Sequence, residues 1–147
     1  MRELDGLDPG ERLRATAAVS FRAGATTKTT KSVVKGSSVR ARYDRFEVWQ
    51  RAAEDAGFPT AGPDMIVGVT DTRLLVWGKS PFLGRITGLA GAMPLKRIAQ
   101  VSAVRHGLVS GLALVVGSTI IELEAVRGRR LRRIAREVQA ALAQPPS

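Results

Sequence analysis

The residues best suited to chemistry in this chain are arginines near its C-terminus. Residues 127–136 hold six arginines and no carboxylate. A guanidinium group presents several N–H donors in one plane, which suits bidentate contact with phosphate or carboxylate. The cluster therefore predicts a solvated helix face, with binding of anions, such as nucleic acid or acidic lipid headgroups, as the alternative. The six arginines are Arg127, Arg129, Arg130, Arg132, Arg133 and Arg136.

Two glycine-containing segments resemble nucleotide-binding motifs but lack their defining residues. Gly78-Lys79-Ser80 could end a phosphate-binding loop, yet that motif needs a glycine where Arg73 stands and a helix where Pro81 stands. The glycines at 84, 88 and 91 are spaced by four and three, whereas the dinucleotide fingerprint needs two and three. We expect neither segment to bind a nucleotide.

Groups for acid–base catalysis or metal binding are scarce. The chain has one histidine, His106, and no cysteine. Glu122 and Glu124 alternate along an apolar segment, which predicts a solvated strand face, with a two-carboxylate site as the alternative. We expect no catalytic residue, no metal site and no cofactor. An enzyme of unfamiliar type stays an alternative that requires His106 to meet Asp71 or Glu122.

Composition indicates one ordinary core and a basic surface. The chain has 147 residues, 44% of them hydrophobic, and a formal charge of +10. No acid occurs in residues 72–121, so the C-terminal half is the cationic half. The absence of cysteine and of an apolar N-terminal signal predicts a cytoplasmic location. The longest uncharged run, 106–121, is too short for a spanning helix, and no transmembrane segment is expected.

The first half of the chain predicts one strand and one helix. Residues 11–22 alternate apolar and polar side chains, which is typical of a half-buried strand. Residues 23–38, with Lys28, Lys31 and Lys35, predict a basic loop. Residues 39–56 predict an amphipathic helix that Gly57 ends. Its apolar stripe predicts packing, with a ligand platform as the alternative; the stripe consists of Tyr43, Phe46, Trp49, Ala53 and Ala56.

The second half predicts hairpins and a closing helix. Residues 65–79 and 112–125 each contain two apolar runs around a short turn, the second at Gly117-Ser118. Between them, we expect an edge strand at 82–87, a loop at 88–92 and another strand from Pro94. Residues 128–143 predict a helix whose apolar stripe packs on the sheet and whose arginines face water.

Three motifs resemble the bacterial pleckstrin-homology-like (PH-like) domains. They are Thr-Asp-x-Arg-Leu at 70–74, Pro-Leu-x-x-Ile at 94–98, and the closing amphipathic helix, and the resemblance covers residues 65–142. It implies a strongly bent antiparallel sheet closed at one end by the C-terminal helix, in a family often found in actinobacteria whose members bind ligands or partners. Eukaryotic relatives bind phosphoinositide headgroups through the loop between their first two strands, which the resemblance places near Lys79 and Arg85.

These observations predict an α+β fold: a bent antiparallel sheet, or partly open barrel, of six or seven strands with a C-terminal capping helix and an extra helix near the N-terminus. Residues 1–64 form an extension or elaboration, and residues 65–147 form the PH-like domain. Whether the first strand joins the main sheet stays open.

The predicted function is non-catalytic binding or scaffolding through a protein partner or self-association, with an exposed strand edge as the contact. The alternative is peripheral binding of acidic lipid headgroups at the inner membrane face, with nucleic acid less favoured because few aromatic residues are present to stack on bases. The candidate anion-binding residues are Lys79, Arg85, Lys96, Arg97, Arg129, Arg130 and Arg133.

Overall fold

The computed structural model describes residues 4–22, 38–80, 85–125 and 128–143. Seven strands and two α-helices lie in these residues. They are β1 (Ala15–Phe21), α1 (Ser38–Asp55), β2 (Asp64–Val69), β3 (Arg73–Lys79), β4 (Ile86–Pro94), β5 (Ile98–His106), β6 (Val109–Val116), β7 (Thr119–Ala125) and α2 (Gly128–Ala143), and a 3₁₀-helix, Leu95–Arg97, joins β4 to β5.

The strands form one antiparallel sheet in the order β4-β3-β2-β1-β7-β6-β5. Its two edge strands, β4 and β5, are consecutive in the chain and only Leu95–Arg97 separates them. A link of three residues spans at most about 10 Å, so the sheet must curl until its two edges approach each other at this corner. The predicted α+β fold, with seven strands, a C-terminal helix and a further helix near the N-terminus, is confirmed.

The first strand lies inside the sheet. β1 pairs with β2 from Ala15 to Ser20 and with β7 at Ser20 and Phe21. Its odd-numbered residues are buried and its even-numbered ones are more exposed, as the alternation in the sequence predicts. This pairing answers the question that the sequence left open.

Residues 4–14 cross the β2–β3 hairpin instead of extending β1. The indole N–H of Trp77 donates to the Asp5 carbonyl at 2.9 Å, and Arg73 Nη2 donates to the Gly6 carbonyl at 2.8 Å. The main-chain N–H of Arg14 donates to the Val69 carbonyl at 2.7 Å. The strand predicted from residue 11 therefore begins only at Ala15.

Both helices contribute to a single hydrophobic core. The α2 residues that are buried match the predicted stripe and are Leu131, Ile134, Ala135 and Val138. From α1, Phe46 and Trp49 pack against Phe21 of β1, with ring centroids 5.4 and 6.0 Å from that of Phe21. The aromatic stripe of α1 therefore packs in the core, as predicted, although Tyr43 is 47% exposed.

The end of α1 follows the pattern expected for a helix that a glycine terminates. Gly57 has a φ of +92°. The N–H of Gly57 donates to the Glu54 carbonyl, and the N–H of Phe58 donates to the Ala53 carbonyl, both at 2.9 Å. Phe58 is buried beside Trp49, so the turn also places an aromatic ring in the core.

Two predictions for the middle of the chain are wrong. Residues 88–92, expected to form a loop, belong to β4, which pairs with β3 from Ile86 to Pro94. The strand expected from Pro94 begins at Ile98, because residues 95–97 form the 3₁₀-helix. The glycines of this segment suggested a loop because they interrupt the strand pattern. Gly88, at a φ of +134°, lies where the register of β4 against β3 shifts. The basic loop predicted at 23–38 lies outside the described residues, except for Ser38.

Candidate functional site

A basic groove lies between the edge strand β5 and the helix α2. Its volume is about 360 Å³. The lining residues are Ala103 from β5 and Arg129, Arg132, Ala135, Arg136 and Gln139 from α2. We call this site the arginine groove; of the six lining residues that the structure describes, three are cations and none is an acid.

The helical repeat explains why these arginines face β5. Positions 129, 132 and 136 are three and four residues apart, so their side chains form one stripe along α2. This stripe lies next to the apolar stripe that is buried against the sheet. A second polar stripe, with Arg130, Arg133 and Glu137, lies on the other side, and Glu137 reaches the surroundings of Arg14. The helix thus separates its arginines between two surfaces.

The main chain of β5 is accessible from the arginine groove. β5 is at the end of the strand order and pairs only with β6 among the described strands. The side-chain amide of Gln139 donates to the Val101 carbonyl at 3.2 Å. A polar group in the groove can therefore reach the backbone of this edge strand.

The charges of the arginine groove are not neutralised within the described residues. None of Arg129, Arg132 and Arg136 forms an ion pair there. Three like charges along one short stripe raise the local positive potential. The groove can therefore take an anionic group that supplies the missing counter-charge.

A second depression, of about 430 Å³, lies where β7 leaves β1. Four of its residues lie along neighbouring strands, because Ser20 is opposite both Asp64 and Glu124, and Lys79 follows Gly78, which is opposite Met65. We call Lys79, Asp64, Ser20 and Glu124 the polar row. Arg130 completes the lining from α2.

The carboxylates of the polar row already have partners. Asp64 accepts a hydrogen bond from the Ser20 hydroxyl at 2.6 Å and from Arg42 Nη2 at 3.0 Å, and Glu124 forms an ion pair with Arg22 at 3.5 Å. Burial opposes ionisation of Asp64, but Ser20 and Arg42 more than offset it, so the pKa of Asp64 is lowered. The row is internally compensated, and a single anion fits the arginine groove better.

The seven candidate residues do not meet at one site. Arg129 lines the arginine groove, whereas Lys79 and Arg130 line the second depression. The remaining four, Arg85, Lys96, Arg97 and Arg133, are exposed elsewhere on the surface. A Cβ placed on Gly57 would be 2.6 Å from Arg97 Nη1, so this guanidinium lies at the C-terminal end of α1, where the helix dipole favours a cation.

The family resemblance places Lys79 and Arg85 near the loop between the first two strands, and this placement is wrong. These residues flank the connection between β3 and β4, whereas residues 22–63, with α1, connect the first two strands. Sequence reasoning also missed Ala103 and Gln139 as parts of the groove. The spacing of Arg129, Arg132 and Arg136 is the signal that could have separated the groove arginines from the others.

Of the alternative catalytic grouping, the structure describes the side chains of Asp71 and Glu122. Asp71 lies in the β2–β3 turn and binds Arg14 through two hydrogen bonds, of 2.6 and 3.0 Å. Glu122 lies on β7 opposite Ala113, and the side chain of His106 is outside the described part of the chain. Within that part, no three His, Asp or Glu side chains group closely enough to hold a metal ion. None of its helices combines the length and apolar character that crossing a membrane requires.

Comparison with known proteins gives structural matches only. No family model matches the sequence, and no curated protein matches it at a significant level. The chain is similar to the DH/PH domain of human ARHGEF11, in a ternary complex with human RhoA and its inhibitor, at a TM-score of 0.49 and 11% identity over 90% of this chain and 29% of that one.

It is also similar to the DH/PH domains of p115-RhoGEF, at a TM-score of 0.46 and 11% identity over 91% of this chain and 31% of that one. The chain thus spans less than a third of the length of either match. Its own strand order and helices establish its fold class, and the arginine groove is its best candidate site for a partner.

Proposed function

We propose that this chain is a non-catalytic PH-like binding module of the bacterial type that acts through protein–protein interaction. The arginine groove is its docking surface. The observation that carries the proposal is the combination of a row of arginines with the edge of β5, on which no other described strand pairs. A protein segment can satisfy both at once, because it offers carboxylates to the arginines and main-chain groups to the strand.

Nucleic acid fits this groove less well. Binding of single strands usually relies on aromatic side chains on which bases stack. Among the described residues, no aromatic side chain lines the arginine groove, and both tryptophans, Trp49 and Trp77, are buried. We therefore favour a protein partner over nucleic acid. We propose that this partner is met in the cytoplasm.

Charge reversal on the two stripes of α2 tests the proposal. The variant R132E/R136E changes the groove, while the matched control R130E/R133E makes the same change of net charge on the other side of the helix. The probe is a fluorescein-labelled acidic peptide, and the readout is anisotropy in 0.15 M NaCl. We expect the Kd to rise at least tenfold for the groove variant and less than twofold for the control. Equal losses in both variants contradict the proposal, because they indicate attraction to net charge alone.

An anionic membrane surface is a second candidate, favoured by one observation. Leu108, in the two-residue turn between β5 and β6, is 93% exposed, and the exposed Arg105 lies three residues before it. An apolar tip near a cation suits insertion at the headgroup level of acidic lipids. This candidate places the protein at the inner membrane face. It predicts co-sedimentation with vesicles that contain 30% phosphatidylserine, and loss of that binding in Leu108→Asp.

A further inference from the structure

We infer that the outer face of the β2–β3 hairpin is a second docking surface, which binds a partner segment that has a glutamate two residues before a leucine. In the free protein, residues 4–14 occupy this surface as an internal competitor; we call these residues the strap. The inference goes beyond the proposed function, because none of the residues that bind the strap is among those described as lining the arginine groove. It follows from the burial of two side chains of β3, from the contacts that cover them, and from the way in which the strap is attached.

Leu75 and Trp77 of β3 are buried on the side of the sheet that faces away from the core. Leu74 and Val76, which alternate with them, belong to the core that both helices cover. Since side chains alternate along a strand, Leu75 and Trp77 lie on the opposite face. Both are nevertheless 0% exposed. This outer face of the hairpin is therefore apolar and needs a cover of its own.

The strap supplies this cover. A Cβ placed on Gly68 would be 2.9 Å from Leu13 Cδ2 and 2.7 Å from Trp77 Cζ3, so the Leu13 side chain lies over the glycine and beside the ring. Gly68 pairs with Leu75 across the hairpin, which puts the recess on the same outer face. The lack of a side chain at position 68 thus leaves a recess that a leucine fills.

Two donors of the hairpin bind main-chain carbonyls of the strap. The indole N–H of Trp77 donates to the Asp5 carbonyl at 2.9 Å, and Arg73 Nη2 donates to the Gly6 carbonyl at 2.8 Å. Every peptide has such carbonyls. These two bonds therefore hold a segment in place without selecting its sequence.

One carboxylate of the strap adds selectivity. Arg73 Nε donates to Glu11 Oε2 at 3.0 Å, and the Thr70 hydroxyl donates to the same oxygen at 2.9 Å. Hydrogen bonds between a guanidinium and a carboxylate are stronger than those between neutral groups. Glu11 and Leu13 together thus define the pattern Glu-x-Leu that a partner segment must offer.

The strap is attached in the manner of a bound peptide. Among the described residues, its main-chain hydrogen bond to the hairpin lies at its end, where the N–H of Arg14 donates to the Val69 carbonyl at 2.7 Å. Residues 5, 6 and 8–10 are exposed. A segment with exposed backbone and few main-chain bonds opens more readily than a strand that is paired on both sides. A partner segment can therefore displace the strap while the sheet stays intact.

Tethering determines how strongly the strap competes. A segment that is joined to its site by a short link acts at an effective concentration of about 1 mM. A free peptide with the same contacts therefore binds weakly while the strap is intact. Substitutions in the strap alone should make the surface available, because they leave Thr70, Arg73 and Trp77 unchanged.

A fluorescein-labelled peptide with the sequence of residues 4–14 tests the inference on the full chain. The variant E11Q/L13S weakens the strap, and the matched control E47Q/V48S makes similar changes at two exposed positions of α1. Anisotropy in 0.15 M NaCl gives the Kd. We expect E11Q/L13S to bind the peptide at least tenfold more tightly than wild type or the control does. A scrambled peptide of the same composition should bind E11Q/L13S at least tenfold more weakly.

Hydrogen exchange in the wild-type chain is a second measurement and needs no variant. Opening of the strap frees the Trp77 indole N–H but leaves the pairing of β3 with β2 and β4 intact. We therefore expect the protection factor of this indole to be at least tenfold lower than that of the best-protected main-chain amides of β3. Equal protection overturns the inference, because it means that the strap leaves only when the hairpin unfolds. This measurement decides the question if E11Q/L13S does not fold.

Three results of the peptide experiment also overturn the inference. They are equal binding to wild type and E11Q/L13S, equal binding of the two peptides, and no binding to a variant whose circular dichroism matches that of wild type. A concentration-dependent dimer of E11Q/L13S overturns it in favour of a second copy of the chain as the occupant. None of these results contradicts the proposed function, which the response to R132E/R136E tests separately.

Discussion

Glu11 and Arg73, which are 62 residues apart in the chain, form a two-pronged ion pair in which Arg73 Nε donates to Glu11 Oε2 at 3.0 Å and Nη2 donates to Oε1. The Thr70 hydroxyl donates to the same carboxylate at 2.9 Å. The Glu11 side chain is only 11% exposed. The pair fastens residues 4–14 to the β2–β3 hairpin, so the N-terminal segment is part of the folded unit.

Stability should depend on pH through Glu11. Hydrogen bonds from Arg73, opposed by burial and helped by the Asp8 N–H and the Thr70 hydroxyl, lower the pKa of Glu11 from 4.5 to about 2. Because the folded pKa is depressed, this contribution is complete above about pH 4.5 and is lost as the pH falls toward 2. After allowance for solvent screening, we expect Glu11→Gln to cost about 1–2 kcal/mol at pH 7.

Urea unfolding followed by tryptophan fluorescence between pH 7 and pH 3 measures this effect. The difference between wild type and Glu11→Gln should shrink as the pH falls. Asp71→Asn is the matched control, because the Arg14–Asp71 pair is 47% and 69% exposed and should contribute almost nothing. A difference between wild type and Glu11→Gln that stays constant across the pH range would contradict the assignment.

The two tryptophans should respond differently to replacement by phenylalanine. The indole N–H of Trp49 is buried without a hydrogen-bond partner among the described residues, whereas that of Trp77 donates to the Asp5 carbonyl. Trp49→Phe removes an unsatisfied donor, which offsets part of the lost packing, so we expect it to cost less than about 1 kcal/mol. Trp77→Phe leaves the Asp5 carbonyl without its donor and should cost about 1 kcal/mol more.

Denaturant unfolding monitored by far-UV circular dichroism compares these variants directly. Trp49→Ala should cost about 3–5 kcal/mol, because its ring packs between Phe21 and Phe46 in the core. A loss of stability in Trp49→Phe as large as that in Trp49→Ala would contradict this prediction, because it would indicate that the indole N–H donates a hydrogen bond.

The glycine that ends α1 should be difficult to replace. Gly57 has a φ of +92°, a region in which a side chain costs about 1–2 kcal/mol. We expect Gly57→Ala to lower the free energy of unfolding by that amount, since the Arg97 side chain beside it can move away. Gly62→Ala is the control, because a Cβ there meets only the Asp64 carbonyl oxygen at 3.8 Å. A loss in Gly62→Ala as large as that in Gly57→Ala would contradict this explanation.

The elements that the sequence predicts well are those with a strong local pattern. The period of Leu131, Ile134 and Val138 and the proline pair at 145–146 are enough to define α2, and the predicted bounds match the observed Gly128–Ala143. The sequence does not predict all of β4, because Gly88 and Gly91 interrupt its pattern. Pairing with β3 holds this strand in the sheet. The contact between Glu11 and Arg73 depends on the tertiary fold and has no local signature.

The candidate site was predictable only in part, for a related reason. Composition alone marks the arginines of α2 as anion-binding candidates. Their division into one stripe beside β5 and another beside the polar row depends on where the sheet places its edge. Neither Ala103 nor Gln139 carries a sequence signal of its own, because each acquires its role from the packing of α2 on β5.

The closing helix should be essential to the whole domain. Leu131 is fully buried in the core that also contains Trp49 of α1. Leu131→Ala should therefore cost about 2–5 kcal/mol, whereas Arg133→Ala, at an exposed position of the same helix, should stay within about 0.5 kcal/mol of wild type.

One shared core also predicts cooperative unfolding. Trp49 lies on α1 and Trp77 on β3, so single-tryptophan variants report on a helix and on the sheet separately. In the Leu131→Ala background, both probes should shift to the same lower midpoint and coincide with circular dichroism. If α2 detached first, helical signal would disappear before either tryptophan responded, and the core would not depend on the helix that covers it.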